Sequence, residues 1–331
     1  MKILLVGAGT MGQVHAAAYR NMPEHNLAGV VDMDPDRAAA LSGGVVPTYA
    51  TLDEGLAGCD AEVVDICLPT YLHKDATLAA ATAHRHIICE KPIARSLDEA
   101  EAMISAAASA GVQLFVAHVV RFFPEYERVK QMLDSGSFGP VGVVRLFRGG
   151  GFPRGWNDWY RDPALSGAVP VDLMVHDLDF LQWCFGPVAR VYAKSALDGH
   201  HVFASLRMAH GEIAQVEGSW AYPAGFWTRM EVAGRDGLVE YASDEHGALS
   251  TRRGDQPAVG GVAVPASPLQ ESPYFRELRH FLDCLETGAA PRVSAKDAIE
   301  ALRIALAVQE SLNTGTVVPI TGQAGRDGSC A

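Results

Sequence analysis

The sequence lacks features that mark several classes of protein. Lys and Arg number 27 against 39 Asp and Glu, for a formal net charge of -12, and no basic run interrupts this acidic balance. No apolar stretch approaches the ~18 residues that a membrane-spanning helix needs. An acidic chain repels the phosphates of nucleic acids and anionic membranes, so we expect neither as a partner.

Cysteine is scarce, and no two cysteines form a C-x-x-C pair. The six are Cys59, Cys67, Cys89, Cys184, Cys284 and Cys330. Isolated thiols in a long chain are typical of a reducing compartment, and they predict neither a disulfide framework nor a zinc ribbon. The apolar stretch at residues 2–6 ends at Gly7, which is too short for a secretory signal, so we expect a cytoplasmic protein.

The first 120 residues alternate short apolar strands with helical stretches. A chain of 331 residues is long enough for two domains, and this alternation is typical of β-α-β units. It predicts a Rossmann domain of the α/β class, with a doubly wound parallel sheet. The predicted strands are 2–6, 27–31, 62–68, 86–89 and 113–117, and the predicted helices are 11–21, 35–41, 74–83 and 97–110.

Beyond residue 120 the pattern changes to successive strands joined by short connections that contain glycine. It predicts an α+β domain with an open, mainly antiparallel sheet. The predicted strands are 143–148, 188–194, 202–208, 213–220, 228–233 and 238–241, and the predicted helices are 124–133, 171–185, 274–286 and 295–313. We therefore predict domains at 1–120 and 121–321, and a disordered tail at 322–331.

A glycine-rich motif, Gly7-Ala8-Gly9-Thr10-Met11-Gly12, follows the first strand and opens the next helix. In such motifs the first glycine permits a tight turn, the second admits a pyrophosphate, and the third lets helix and strand pack closely. Asp32 stands twenty residues beyond Gly12, where it can bind the adenosine ribose and repel a 2′-phosphate, which favours NAD over NADP. A solvated loop acid is the alternative for Asp32, and Asp34 competes for the assignment.

Glu90-Lys91-Pro92 follows the strand at 86–89, at the carboxyl edge of the predicted parallel sheet. Doubly wound folds bind ligands at this edge. A lysine there can hydrogen-bond the reacting hydroxyl of a substrate. Taken alone, the position also fits an ordinary exposed lysine in a surface turn.

Asp172 and His176 are four residues apart on the predicted helix 171–185, so both would face the same way, with Asp179 continuing that face and Asp177 pointing elsewhere. A histidine can take the proton of a secondary alcohol as hydride leaves its carbon. The alternatives are a hydrogen bond on a helix surface and a metal site. Because no third ligand stands at a recognisable spacing, we predict no metal.

These motifs, with Pro69-Thr70-Tyr71-Leu72-His73, resemble the Gfo/Idh/MocA family of glucose-fructose oxidoreductases and inositol dehydrogenases. The resemblance runs from Lys2 to about Ile320. It implies a cis peptide before Pro92, Lys91 as the catalytic lysine, Pro69 and His73 near the cofactor, and a homodimer or homotetramer formed through the open sheet.

The sequence departs from this family shortly before Asp172. Relatives often carry a run of glycines there, whereas this chain has Ser166-Gly167-Ala168-Val169-Pro170-Val171. Proline stiffens the approach to Asp172, so the departure bears on substrate choice more than on hydride chemistry.

Two aromatic segments, 121–124 and 154–160, combine flat rings with hydrogen-bonding side chains, which suits a sugar. Arg121 and Arg154 also suit a carboxylate or phosphate on the substrate. The alternative is a loop that its two tryptophans, Trp156 and Trp159, fold over the core.

The sequence therefore predicts an NAD-dependent oxidoreductase that transfers hydride between nicotinamide and a secondary hydroxyl of a cyclic polyol or sugar. The alternatives are a reductase of keto-sugars, free or nucleotide-linked, and a regulator that senses NAD and sugar without turnover. The predicted catalytic residues are Lys91, Asp172 and His176. The predicted cofactor-binding residues are Gly7, Gly9, Thr10, Met11, Gly12, Asp32, Met33, Leu68, Pro69, His73, Glu90 and Lys91. The predicted substrate-binding residues are Lys91, Arg121, Trp156, Asn157, Asp172 and His176.

Overall fold

The computed structural model describes residues 1–223, 225–243 and 271–320. These residues form two compact units, each built from several stretches of chain. The first unit contains 1–127, 153–168 and 271–302, and the second contains 128–152, 169–223, 225–243 and 303–320. None of the helices in these ranges has both the length and the hydropathy to cross a membrane. The predicted tail at 322–331 lies outside the described residues.

A parallel six-stranded sheet forms the centre of the first unit. Its strands are β1 (Lys2–Val6), β2 (Asn26–Val31), β3 (Thr48–Tyr49), β4 (Val63–Ile66), β5 (His86–Glu90) and β6 (Leu114–Ala117). They lie in the order β3-β2-β1-β4-β5-β6, and all neighbours are parallel. This order confirms the predicted Rossmann sheet. Only β3 was not predicted, because two residues carry no hydrophobic period.

The helices agree with the sequence pattern in most places. They are α1 (Thr10–Tyr19), α2 (Pro35–Ser42), α3 (Leu52–Gly58), α4 (His73–Thr82), α5 (Leu97–Ala110), α6 (Pro124–Asp134), α7 (Pro163–Ser166), α8 (Val175–Phe185), α9 (Pro273–Thr287) and α10 (Ala295–Thr314). The side chains of Asp34, Thr51 and Ser96 cap α2, α3 and α5 by accepting backbone N–H bonds. No side chain caps α1.

The predicted boundary at residue 120 does not coincide with the observed units, because α9 belongs to the first unit. Leu278, Phe281 and Leu282 of α9 share a buried apolar cluster with residues of α1 and of the parallel sheet. The Phe281 ring stacks on Phe115 of β6 with 4.9 Å between ring centroids. Periodicity along the chain indicates which face of α9 is apolar, but not which surface covers it.

A mixed sheet forms the centre of the second unit. Its strands are β7 (Val141–Gly149), β8 (Val188–Ala196), β9 (His201–Met208), β10 (Ile213–Ser219), β11 (Trp227–Gly234), β12 (Leu238–Ala242) and β13 (Val318–Pro319). They lie in the order β12-β11-β7-β10-β9-β8-β13. The β7–β10 pair is parallel and the other pairs are antiparallel, which confirms the predicted open, mainly antiparallel sheet.

The predicted helix at 171–185 is two helical segments. A π-helical turn spans Val169–Leu173, where the Met174 N–H donates to the Val169 carbonyl at 2.9 Å, and α8 begins at Val175. Pro170 lies in this turn, and its nitrogen takes no part in the wider hydrogen bond. The prediction of one continuous helix is therefore wrong here.

Two contacts fix α8 and the turn before it on the mixed sheet. A Cβ placed on Gly218 of β10 would lie 2.5 Å from Met174 Cγ, so glycine is what allows this close approach. The buried Asp177 of α8 accepts two hydrogen bonds from Arg148 of β7, at 2.8 and 3.0 Å. Such a bidentate pair holds the helix in one register on the sheet.

Candidate active site

The glycines of the first turn differ in the space around them. Gly7 has a φ of 101°, and a Cβ on Gly12 would lie 1.9 Å from the Gly7 carbonyl oxygen. A Cβ on Gly9 would meet nothing within 4 Å. Gly7 and Gly12 are thus required by the fold itself, whereas Gly9 borders open space that a ligand can approach.

The start of α1 offers the donors that a pyrophosphate needs. The helix begins after Gly9 without a capping side chain, and its first turn contains no acidic residue. Uncapped N–H groups at a helix N-terminus bind anions, and the helix dipole adds to the attraction. Thr10 and Met11 open this helix, so these residues fit a dinucleotide phosphate.

Asp32 is held against the glycine turn at the end of β2. Its Oδ2 accepts the Ala8 N–H at 2.7 Å, and its Oδ1 accepts the Asp34 N–H at 2.9 Å. Asp34 instead caps α2 and bonds the Arg37 guanidinium at 2.8 Å, and this hydrogen bond lowers the pKa of Asp34. The geometry therefore favours Asp32 over Asp34 as the acid that faces a ribose, with Met33 exposed beside it.

His73 lies between the loops that follow β4 and β5. Its Nδ1 is 2.9 Å from the Pro92 carbonyl oxygen, and its Nε2 is 2.8 Å from that of Leu68. The side chain is enclosed, and burial lowers the pKa of His73. A neutral ring donates to only one of these two carbonyls, so His73 bonds one of the loops that contain Leu68-Pro69 and Lys91-Pro92 and lies against the other. Direct contact between His73 and the cofactor remains a prediction.

Lys91 lies at the carboxyl edge of the parallel sheet, directly after β5. It is partly exposed, and the Lys91–Pro92 peptide is cis, as the resemblance implied. The buried Glu90 carboxylate turns back, and its Oε2 accepts the Lys91 N–H at 2.9 Å. The main chain at Lys91 is therefore fixed by its neighbour, while part of the side chain can reach solvent or a ligand.

A buried ionic network that the sequence analysis missed lies behind Glu90. The His15 ring of α1 bridges two carboxylates: its Nδ1 is 2.8 Å from Asp65 Oδ2, and its Nε2 is 3.2 Å from Glu90 Oε1. Tyr19 donates its hydroxyl to Asp65 at 2.8 Å, and Cys67 Sγ lies 3.3 Å from His15 Nδ1. The signal available in the sequence was a histidine and a tyrosine one helical turn apart on α1, together with an aspartate inside an apolar strand.

The charges in this network shift one another's titration. Burial opposes a charge on His15, but the charges and hydrogen bonds of Asp65 and Cys67 together outweigh it and hold the pKa of His15 well above its ordinary value. Burial also opposes a charge on Glu90, yet the hydrogen bond and charge of His15 keep the pKa of Glu90 lowered. Donor atoms of His15, Asp65 and Cys67 lie within 4.8 Å of one another, close enough for a metal, but they already contact each other within the network.

The second unit contains the other two predicted catalytic residues. Asp172 lies in the π-helical turn and is mostly buried, and His176 lies in the first turn of α8 and is partly exposed. Because the helix is interrupted between them, the four-residue spacing no longer argues for a common face. The Asp177 carboxylate accepts hydrogen bonds from Arg148, and Asp179 is buried.

Arg121 is enclosed in the first unit. Its Nη1 donates to the Arg292 carbonyl at 2.9 Å and lies 3.6 Å from Asp297 Oδ2, and the residue is only 1% exposed. A guanidinium used in this way anchors the segment before α6, so the geometry does not support the predicted substrate contact of Arg121.

The two tryptophans of the 154–160 segment have different environments. Trp159 is buried and its ring lies 6.1 Å from that of Tyr71, whereas Trp156 is 43% exposed. Asn157 and Asp158, both exposed, adopt left-handed backbone conformations with φ of 54° and 51°. Trp159 therefore anchors the segment, and Trp156 and Asn157 remain available to a ligand.

Comparison with known families agrees with this geometry. Residues 1–118 match the family model described as an oxidoreductase family with an NAD-binding Rossmann fold, and residues 126–240 match the GFO/IDH/MocA C-terminal domain. The chain belongs to the Gfo/Idh/MocA oxidoreductase family. Its first unit thus contains the family's dinucleotide-binding domain, and the strands β7 to β11 of its mixed sheet lie within the match to the family's C-terminal domain.

Several members of the Gfo/Idh/MocA family resemble the chain along almost its whole length. D-xylose 1-dehydrogenase (NADP(+)) 2 of Haloferax volcanii is 30% identical, over 96% of this chain and 98% of that protein. Inositol 2-dehydrogenase of Rhizobium meliloti is 28% identical, over 93% of this chain and 96% of that protein. The crystal structure of GenD2 from gentamicin A biosynthesis, in complex with NAD, has a TM-score of 0.85 at 25% identity and covers 97% of both chains.

Proposed function

We propose that this oxidoreductase is an NAD-dependent dehydrogenase that acts on a secondary hydroxyl of a cyclic polyol or sugar. The observation that carries the proposal is the position of Lys91, at the carboxyl edge of the sheet whose first turn is open at Gly9. The inositol and xylose dehydrogenases among its relatives support this substrate class.

We infer NAD rather than NADP from Asp32. Its carboxylate is fixed by two backbone N–H groups, so it presents acceptors and a negative charge near the open side of the glycine turn. Ribose hydroxyls are favoured by such a group, and a 2′-phosphate is repelled. When bound, NAD supplies the hydride acceptor.

The proposed catalytic residues act on the substrate oxygen. Lys91 hydrogen-bonds the hydroxyl, Asp172 orients it, and His176 or Lys91 accepts its proton while the adjacent carbon loses hydride. Trp156 and Asn157 bind the ring of the substrate through an aromatic face and an amide. The carbon that bears the hydroxyl gives up its hydrogen as hydride and becomes a carbonyl carbon, and the hydroxyl oxygen gives up its proton to His176 or Lys91.

We also propose a homodimer or homotetramer that forms through the mixed sheet. Exposed rings of Tyr192 and Phe203 project from it, beside the His201–Glu217 ion pair. Light scattering tests this state. A monomer at micromolar concentration would contradict it.

The function is tested by NADH formation with a panel of inositols, aldoses and sugar acids. We expect turnover with at least one compound, its loss in Lys91→Ala, and NAD affinity within about twofold of wild type in that variant. The double variant Lys91→Ala/His176→Ala should lose little more than either single variant if both residues act on one hydroxyl.

Two outcomes would contradict the proposal. Turnover only with NADH and keto-sugars would indicate a reductase, and NAD binding without turnover in either direction would indicate a sensor. Lys74→Ala serves as a control, because Lys74 is a partly exposed lysine of the same unit that lies on α4.

A further inference from the structure

The buried network around His15 has no role in the proposed chemistry, yet it ends at the main chain of Lys91. One oxygen of Glu90 lies 3.2 Å from His15 Nε2, and its other oxygen accepts the Lys91 N–H at 2.9 Å. His15 and Asp65 have no measurable exposure, and Glu90 is 6% exposed. A histidine inside the dinucleotide-binding unit is thus connected to the proposed catalytic lysine through one carboxylate.

The geometry favours an arrangement in which both ring nitrogens of His15 donate. Each nitrogen faces a carboxylate oxygen, Asp65 Oδ2 on one side and Glu90 Oε1 on the other. A neutral imidazole has one N–H and would turn a lone pair toward the second carboxylate, whereas an imidazolium donates to both. With a neutral ring, Asp65 would lose the charge that offsets its desolvation, and Glu90 would keep only that of Lys91.

The groups that face this ring come from every element packed around it. They are Asp65 and Cys67 from β4 and the residue after it, Glu90 from β5 with Lys91 beyond it, and Tyr19 from α1, on which Glu277 of α9 acts by its charge. Burial lowers the pKa of His15, but Asp65 and Cys67 together keep it raised.

We propose that His15 is a positioning residue for Lys91. As an imidazolium, His15 donates a hydrogen bond to the Glu90 carboxylate. The same carboxylate accepts the Lys91 N–H, and this bond fixes the position from which the lysine side chain leaves the edge of the sheet. The inference rests on the proposed function of Lys91 for its effect on catalysis, but not for its effect on structure.

The kinetic test replaces His15 by glutamine, which keeps a donor but carries no charge. We expect kcat to fall about 10- to 100-fold with NAD affinity within about twofold of wild type, because small misplacements of a catalytic group are costly. Tyr19→Phe is the matched control: it removes a buried hydroxyl that bonds Asp65 but leaves both carboxylates on His15. Its kcat should stay within about twofold of wild type.

A pH profile separates positioning from a merely structural role. In Asp65→Asn the ring loses the carboxylate that raises the pKa of His15, so burial should bring its titration down toward neutrality. The kcat of this variant should then fall as pH rises from about 6 to 8, where wild type shows no such step. A merely structural contact would lower kcat equally at every pH.

A measurement that needs no turnover completes the test. In ¹⁵N spectra of the uniformly ¹⁵N-labelled full chain at neutral pH, the histidine ring signals lost in His15→Gln should be those of an imidazolium. The Lys91 amide proton should move upfield in that variant as its bond to Glu90 weakens. A neutral His15 ring in wild type, or an unmoved Lys91 amide, would overturn the proposal. If wild type shows no turnover, the proposed function fails, and these spectra still decide the role of His15.

Discussion

Among single residues, Asp32 has the contacts that best support its proposed role, which is to bind the adenosine ribose. The sequence placed it at the end of the second strand but left Asp34 as a competitor. The structure separates them, because Asp32 bonds the glycine turn through Ala8 whereas Asp34 caps α2. This distinction depends on where each carboxylate points, which residue spacing does not determine.

Replacing Asp32 by serine should shift cofactor preference toward NADP. Without the carboxylate the 2′-phosphate is no longer repelled and a ribose acceptor is lost, so the ratio of NAD to NADP efficiency should drop about 10- to 100-fold. Both kcat/KM values measure this. Asp36→Ser is the control, because it removes an equal charge from an exposed position on α2. A wild type that uses both cofactors equally would contradict the role of Asp32.

Other residues show what sequence reasoning alone does not reach. From its position in the sequence, Arg121 was predicted to bind the substrate. In the structure its guanidinium instead contacts the Arg292 carbonyl and the Asp297 carboxylate. His15 was not singled out because its partners, Asp65 and Glu90, are fifty and seventy-five positions away along the chain. Pairings at such distances depend on how parallel strands are ordered.

At the level of elements, the strand and helix pattern was predictable where apolar periods are long. β1 and α5 were predicted with the bounds that the structure shows. The helix at 171–185 was not, since a π-helical turn precedes α8, and Met174 directly after it packs against Gly218. Apolar periodicity continues through such a turn, so it cannot report the interruption.

The glycine turn and α1 give a paired prediction. Gly12→Ala should lower the free energy of unfolding by about 1–3 kcal/mol, because its Cβ would collide with the Gly7 carbonyl oxygen. Gly9→Ala should leave that free energy nearly unchanged, since its Cβ meets nothing, yet it should weaken NAD binding about tenfold or more by filling the approach to the pyrophosphate.

Urea unfolding and NAD titration of the two variants distinguish these effects. Equal loss of stability in both variants would mean that the space beside Gly9 is not open. Unchanged NAD affinity in Gly9→Ala would mean that the dinucleotide does not approach there.

At the scale of the whole molecule, fold class was predictable and the assignment of chain to units was not. The alternation of strands and helices predicted a Rossmann sheet followed by an open sheet, and both are present. The return of α9 to the first unit depends on its apolar face meeting α1 and β6. Such long-range closure is set by complementary surfaces rather than by local pattern.

The pH dependence of stability follows from the buried groups. The pKa of His15 is raised in the folded state. Its contribution to the free energy of unfolding is therefore complete below the ordinary pKa of 6.5 and is lost as pH rises through the folded-state pKa. His73 and His280 have lowered pKa values, so their contributions are complete above 6.5 and are lost as pH falls. Stability should therefore peak near pH 6.5.

Urea unfolding between about pH 6.5 and 9 checks whether stability falls as pH rises. The free energy of unfolding should fall with rising pH, by up to about 1.4 kcal/mol per pH unit from one buried imidazolium, and the urea midpoint should fall with it. A midpoint that is constant or rises over this range would contradict a protonated His15.

The proposed function depends on hydride transfer between a substrate carbon and a nicotinamide bound at the glycine turn. The most direct measurement is the mass of the reduced cofactor formed from NAD and a substrate deuterated at its carbon-bound hydrogens, such as perdeuterated myo-inositol or a deuterated member of the panel that reacts. We expect reduced cofactor that is one mass unit heavier than the cofactor formed from undeuterated substrate. A primary isotope effect should accompany it when hydride transfer limits the rate. Reduced cofactor without deuterium, or no reduction with any substrate of the panel, would contradict it.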